Sequence, residues 1–174
     1  VIESVTSYPS GTSIVTDSVG ITGSTITHSV STESSTGLRS YNVETGENIL
    51  LKEDAYIYGM DQAAVGDKRL FFNSGDLWVT DGTAEGTKSL GANPGSQLHY
   101  GDRDFLDGYL YWAGGNTIWR SNGEVIESVT SYPSGTYIAM GSVGITGSTI
   151  THSVSLPPTL PALRSYNVET GENI

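Results

Sequence analysis

The sequence contains no cysteine, which excludes disulfides, thiolate nucleophiles and thiolate metal sites together. Positive charge is scarce: 8 Lys and Arg stand against 19 Asp and Glu, for a formal charge of −11. That balance excludes sequence-independent binding to nucleic acid, which requires cations to neutralise phosphates, and it disfavours anionic lipid headgroups. Spread along the chain, the negative charge serves solubility. Charged residues make up only 16%, low for a helical cytosolic protein. No apolar run approaches ~18 residues, so no membrane insertion is expected. No leader-like segment opens the sequence, whose start at Val1 reads as a piece of something longer. Helical patterning is missing too. No stretch keeps apolar residues at a period of about 3.6 for three turns, and Gly, Pro, Ser and Thr interrupt throughout.

What the sequence does have is a duplication. Val1–Thr12 (VIESVTSYPSGT) recurs unchanged as Val125–Thr136, Ser18–Ser31 as Ser142–Ser155, and Leu38–Ile49 as Leu163–Ile174. Residues 125–174 thus repeat residues 1–49. The copies differ at TSIVTD against TYIAMG, and in a loop, TESSTG at Thr32–Gly37 against LPPTLPA at Leu156–Ala162. A divergent loop between identical flanks marks a tolerant surface hairpin tip. A recent natural duplication and an engineered one both produce this identity, and the sequence leaves the two open.

A weaker repeat runs beneath the duplication. Tight turns at Thr22-Gly23, Gly66-Asp67, Asp107-Gly108 and Thr146-Gly147 each precede an alternating or aromatic segment. A second set follows at Thr45-Gly46, Asp81-Gly82, Asn122-Gly123 and Thr170-Gly171, spaced by about forty residues, the length of a propeller blade. The third repeat displays the pattern best: HYGDRDFL, YLYWAGG, TIWRSN and EVIESVTS are four strands in succession. The expected fold is all-β, a β-propeller-like array of about four antiparallel four-stranded blades in a single domain spanning 1–174. The blades fall at about 13–53, 56–91, 99–131 and 137–174. Val1–Ser7 is expected to complete the last blade beside Leu163–Val168, because closing a ring removes an exposed edge. The same pairing made between two copies would be self-association by terminal strand exchange.

Asp76–Leu90, DLWVTDGTAEGTKSL, resembles the ELWxTDGTxxGT repeats of secreted bacterial propeller-like proteins, with Asp76 where Glu is usual. TIWRSNGEVIES keeps the Trp and the Asn-Gly turn but loses the paired Gly-Thr, and LRSYNVETGENILL is similar only to a generic propeller hairpin. The resemblance covers about fifteen residues. It implies an extracellular or cell-surface bacterial protein of propeller type. It carries over no catalytic residue, since Asp81-Gly82 supplies a turn and Leu77 and Trp78 supply packing.

Chemically versatile residues are few. The histidines are His28, His99 and His152, and no G-x-S-x-G elbow accompanies them. His28 and His152 lie mid-strand among Ser and Thr, which reads as a surface or channel-facing position. Asp102, Asp104 and Asp107-Gly108 invite a calcium reading, but the third Asp falls one residue late for an EF-hand-type loop. Turn chemistry at Asp107-Gly108, with Asp102 and Asp104 solvated, is the expectation; no cofactor is expected, and calcium is the alternative. Asp61, Asp67, Asp102 and Glu127 are the carboxylates a propeller enzyme would draw on, and no spacing selects them. Among the aromatics, Tyr109 and Tyr111 share one strand face and Leu110 and Trp112 the other, with Phe71, Trp78 and Trp119 as counterparts. Packing between blades is their expected role. Trp112 and Tyr100 are the candidates for stacking on a sugar ring at a rim.

The functional expectation is a non-enzymatic structural or adhesive module of a secreted or cell-surface protein, with a glycan or a surface protein as partner. A lectin-like carbohydrate-binding propeller and an engineered propeller fragment made to test ring closure are the alternatives.

Overall fold

The computed structural model describes residues 4, 6–15, 18–55, 62–92, 94, 103–139, 142–155 and 161–173. Every regular element among them is a strand, and the strands form four antiparallel sheets. The first comprises β1 (Ser13–Ile14), β2 (Gly20–Thr22), β3 (Thr25–Ser31), β4 (Thr36–Asn42) and β5 (Asn48–Glu53). The second comprises β6 (Gln62–Val65), β7 (Lys68–Asn73), β8 (Asp76–Thr80) and β9 (Lys88–Ala92). The third runs through β10 (Arg103–Leu106), β11 (Tyr109–Gly114), β12 (Thr117–Ser121) and β13 (Ile126–Ser131). The fourth holds β14 (Tyr137–Ile138), β15 (Gly144–Thr146), β16 (Thr149–Ser155) and β17 (Ala162–Asn167). Each is a meander of the propeller-blade type, sequential strands lying side by side. Contacts group the chain into two compact units, Val1–Ser89 and Leu90–Ile174, with the boundary inside β9.

Turn chemistry sets the hairpins. Asp107 and Gly108 have φ of 50° and 78°, and Ser74 and Gly75 have 54° and 89°. Positive φ at both central residues is the type I′ geometry whose twist matches the flanking strands.

In the first and last sheets the first edge strand is split. β1 and β2 both pair with β3, and β14 and β15 both pair with β16. A serine bridges each gap. The Ser18 hydroxyl donates to the Val15 carbonyl (2.7 Å) and accepts the Ser29 N–H (2.9 Å). Ser142 does the same with Ala139 (2.6 Å) and Ser153 (3.0 Å). A side chain stands in for a ladder group and gives the Ser29 and Ser153 N–H groups an acceptor. Alternation alone gave no sign of this break.

The Asp76–Leu90 segment shows why its motif has that spelling. The Asp81 carboxylate accepts the Thr83 N–H (2.9 Å) and hydroxyl (2.7 Å), and the Thr83 hydroxyl accepts the Gly86 N–H (3.0 Å). The Thr87 hydroxyl reaches the Thr83 carbonyl (2.6 Å) and pairs with Thr80 (2.7 Å). Gly86 has no room for a Cβ, which would collide with the Asp81 carboxylate. Gly82, at φ 91°, sits against Thr25, and its carbonyl accepts the Ser40 hydroxyl (2.7 Å). The turn therefore closes a hairpin and also docks its blade on the preceding one.

Packing within each unit is face to face. In the first unit Leu38, Leu51, Ala55 and Phe71 form a buried cluster, with Phe71 stacked on Trp78 at 6.1 Å. In the second unit Tyr111 and Ile118 meet Ile138, Val143, Ile150 and Val154. Burying each such large side chain is worth roughly 1.5–3 kcal/mol. The GIT strand that the duplication repeats is gripped differently in each copy. Arg69 donates to the Ile21 carbonyl (3.2 Å), with its guanidinium in the space that Gly20 leaves open. Asp104 accepts the Ile145 N–H (2.8 Å). Asp104 is thus a docking residue and not the solvated one expected from sequence.

The expected pairing of Val1–Ser7 with Leu163–Val168 falls in part on Val1, Ile2, Glu3 and Val5, which lie outside the described residues. Among the described residues β17 pairs with β16, and its other edge carries one isolated bridge, Tyr166 to Asn173.

Candidate functional site

The duplicated histidines are not at the surface. His28 is 2% exposed and His152 has no exposed area, which corrects the surface or channel-facing placement. Each is sealed by a tyrosine twenty residues upstream. The Tyr8 hydroxyl lies 2.5 Å from His28 Nε2, and the Tyr132 hydroxyl lies 2.7 Å from His152 Nε2. The rings are tilted at centroid separations of 5.7 and 5.6 Å. The tyrosine belongs to the segment VTSYP, which in the second copy continues the outer strand β13. The histidine is on β3 or β16, and opposite it in register stands an arginine, Arg39 or Arg164.

An asparagine closes the cluster. Asn48 donates to the Tyr8 hydroxyl (3.0 Å) and to the Thr6 hydroxyl (3.3 Å), and its carbonyl accepts Nε of Arg39 (2.9 Å). In the second copy Asn173 accepts the Tyr132 hydroxyl (3.3 Å) and donates to Thr130 (3.0 Å). Burial holds both imidazoles below the ordinary histidine range, and the neighbouring Arg39 and Arg164 push the same way. Burial also raises the Tyr132 phenol. The imidazoles are therefore neutral, and in each the Nε2 is within hydrogen-bond reach of the tyrosine hydroxyl. Acid–base catalysis needs the nitrogen within reach of a substrate proton, and here it faces a tyrosine in a covered site. The arrangement fastens one segment to the next blade.

Beside this cluster the first unit has an open cleft of about 430 Å³. Its lining includes Tyr8, Arg39, Leu50, Glu53 and Asp54, with Thr32 and Ser35 from the loop. Arg39 also lies 5.9 Å from the centroid of the Tyr8 ring.

The residues singled out from sequence are scattered. Trp112 is fully buried, so its ring is given to packing and presents no face to a sugar. Tyr100, His99, Asp61 and Asp102 lie outside the described residues, as does Leu156–Leu160. Asp107 occupies its turn, and Asp104 is committed to the N–H groups of Phe105 (2.8 Å) and Ile145. Glu127 pairs with Arg120 at 2.9 Å, and Arg120 covers the Tyr109 ring at 4.4 Å. The Tyr–His–Asn cluster was missed. The one available signal was the spacing of Tyr and His, the same in both copies, and wholesale duplication hides it because every neighbour is repeated too.

No protein-family model and no curated protein matches the sequence. Solved structures do match. The puromycin hydrolase S511A mutant aligns with a TM-score of 0.55 at 13% identity, over 90% of this chain and 27% of that one. Pyrococcus horikoshii acylaminoacyl peptidase aligns at 0.54 and 17% identity, over 90% and 31%. The computationally designed Ika8 protein aligns at 0.50 and 9% identity, over 88% and 46%. The fold is of the β-propeller type. At these identities the likeness extends to the fold alone, and the chain spans less than half the length of each of these three structures.

Proposed function

We propose that the chain is a non-enzymatic structural and adhesive propeller module of a secreted or cell-surface bacterial protein. The observation that carries this is the use made of its most reactive side chains: both buried histidines are spent on holding a tyrosine-bearing segment against a blade. A scaffold gains from such fastening, and a catalyst would need those nitrogens open. The Ser, Thr and Gly-rich, cysteine-free composition and the TDGTAEGT segment support a place outside the cell. Self-association by terminal strand exchange belongs to this reading, with Val1–Ser7 adding to the edge of β17. It is supported by Leu163, 76% exposed there, whose twin Leu38 is 1% exposed under β5. Molar mass by light scattering over a concentration series tests it: a mass that stays that of one chain, together with unchanged stability on deleting residues 1–7, rejects the exchange.

The open cleft supports a second reading, a glycan-binding module. Binding to a glycan array separates the two.

A further inference from the structure

Resting on that second reading, we propose that the cleft beside Tyr8 is a binding site for a short neutral saccharide. Its volume of about 430 Å³ lies within the ~300–1,000 Å³ of small-molecule clefts. Its lining mixes three chemistries. Tyr8 and Leu50 give apolar surface, Arg39 gives a guanidinium, and Glu53 and Asp54 give two exposed carboxylates. An apolar ligand would bury those charges without partners. An anionic ligand would meet two carboxylates on a chain of net charge −11. Sugar hydroxyls both donate and accept, so they satisfy carboxylates and guanidinium at once, while the ring's C–H face packs on Tyr8 and Leu50.

The duplication adds an independent argument. Tyr8, Thr12, Val30 and Arg39 in the cleft are matched by Tyr132, Thr136, Val154 and Arg164 in the second copy. The loop is not: Thr32–Gly37 becomes LPPTLPA. Leu50, Glu53 and Asp54 lie outside the duplicated stretch, so what the two copies share is Tyr8, Thr12, Val30 and Arg39, beside a loop that differs. Loops on a fixed scaffold are where specificity changes without a change of fold. Asp54, at φ 52°, ends β5 through its N–H to the Thr36 carbonyl (2.9 Å) and so ties one side of the cleft to the loop on the other.

The test is titration calorimetry and saturation-transfer NMR on the full chain. The probes are methyl glycosides of glucose, galactose, mannose and N-acetylglucosamine, their disaccharides, and glucuronate. The proposal expects at least one neutral glycoside to bind, and the double variant Glu53→Gln, Asp54→Asn to weaken it about tenfold or more. Both side chains are exposed, and Asn tolerates the backbone of Asp54. Replacing Thr32–Gly37 by LPPTLPA is expected to abolish or redirect the binding, and it serves as the second arm should the double variant misfold. Neutral glycosides that bind equally well to both variants overturn this site and leave the glycan reading standing. No binding across the panel, together with an empty glycan array, overturns both. Preference for glucuronate overturns the ligand class.

Discussion

The hydroxyl of Tyr132 lies 2.7 Å from Nε2 of His152, a side chain with no exposed surface. Tyr132→Phe keeps the ring and removes the only hydroxyl of that residue. It leaves a buried imidazole nitrogen facing carbon and also breaks the bond to Asn173. A buried polar group deprived of its partner costs about 1–3 kcal/mol. The urea midpoint should fall accordingly, and Tyr8→Phe should match it in the first unit. Adding His152→Leu to Tyr132→Phe should recover part of the loss, because removing both partners is far cheaper than removing one. No recovery would mean that the tyrosine acts through packing alone.

Acid should loosen the same two sites. Burial lowers the pKa of His28 and His152 in the folded chain below the unfolded value of about 6.5. The unfolded state therefore binds more protons as pH drops through that value, and the equilibrium moves toward it. Their contribution is whole above about pH 6.5 and is lost below it, at up to about 1.4 kcal/mol per pH unit for each histidine. Asp81, whose pKa is lowered chiefly by the Thr83 hydroxyl, adds stability that is lost only at more acid pH. Urea midpoints between pH 7.5 and 5 should show the slope. The double variant His28→Gln, His152→Gln should flatten it.

Strand and turn placement was legible because both rest on local chemistry: positive-φ pairs such as Asp107-Gly108, and alternation such as YLYWAG. The Tyr109–Tyr111 face was also readable, and the two rings lie 6.3 Å apart. The histidine sites were not. A strand reading TITHSVS looks solvated, and what buries His28 is Tyr8, brought in by tertiary packing from twenty residues away. Asp104 was misplaced for the same reason, since its partner Ile145 lies on another blade. The break between β1 and β2 was hidden because the Ser18 side chain imitates a backbone group.

Gly86 offers a test of the motif's spelling. A Cβ there would collide with the Asp81 carboxylate, so Gly86→Ala should displace the turn and cost about 1–3 kcal/mol, the range for overpacking. In an Asp81→Ala background the obstacle is gone, and the same change should be close to neutral. The coupling in this double-mutant cycle should thus approach the whole single-mutant cost. Additive effects would show that Gly86 is kept for a reason other than room for Asp81.

The duplicated leucine gives a comparison that needs no other protein. Leu38 and Leu163 sit in the same sequence, LRSYN, on the same kind of strand, yet one is 1% exposed and the other 76%. Leu38 packs with Leu51, Ala55 and Phe71 beneath β5. Its truncation to Ala should cost about 2–5 kcal/mol, as for a core leucine. Leu163→Ala in an isolated chain should stay within about 0.5 kcal/mol, as at an open surface. A terminal strand laid over β17 would change that second number, because Leu163 would then be covered as Leu38 is. Unfolding of both variants at low and high protein concentration therefore reads the exchange directly. A Leu163→Ala penalty that grows with concentration means covering by a second copy, and a small penalty at every concentration means the edge stays open.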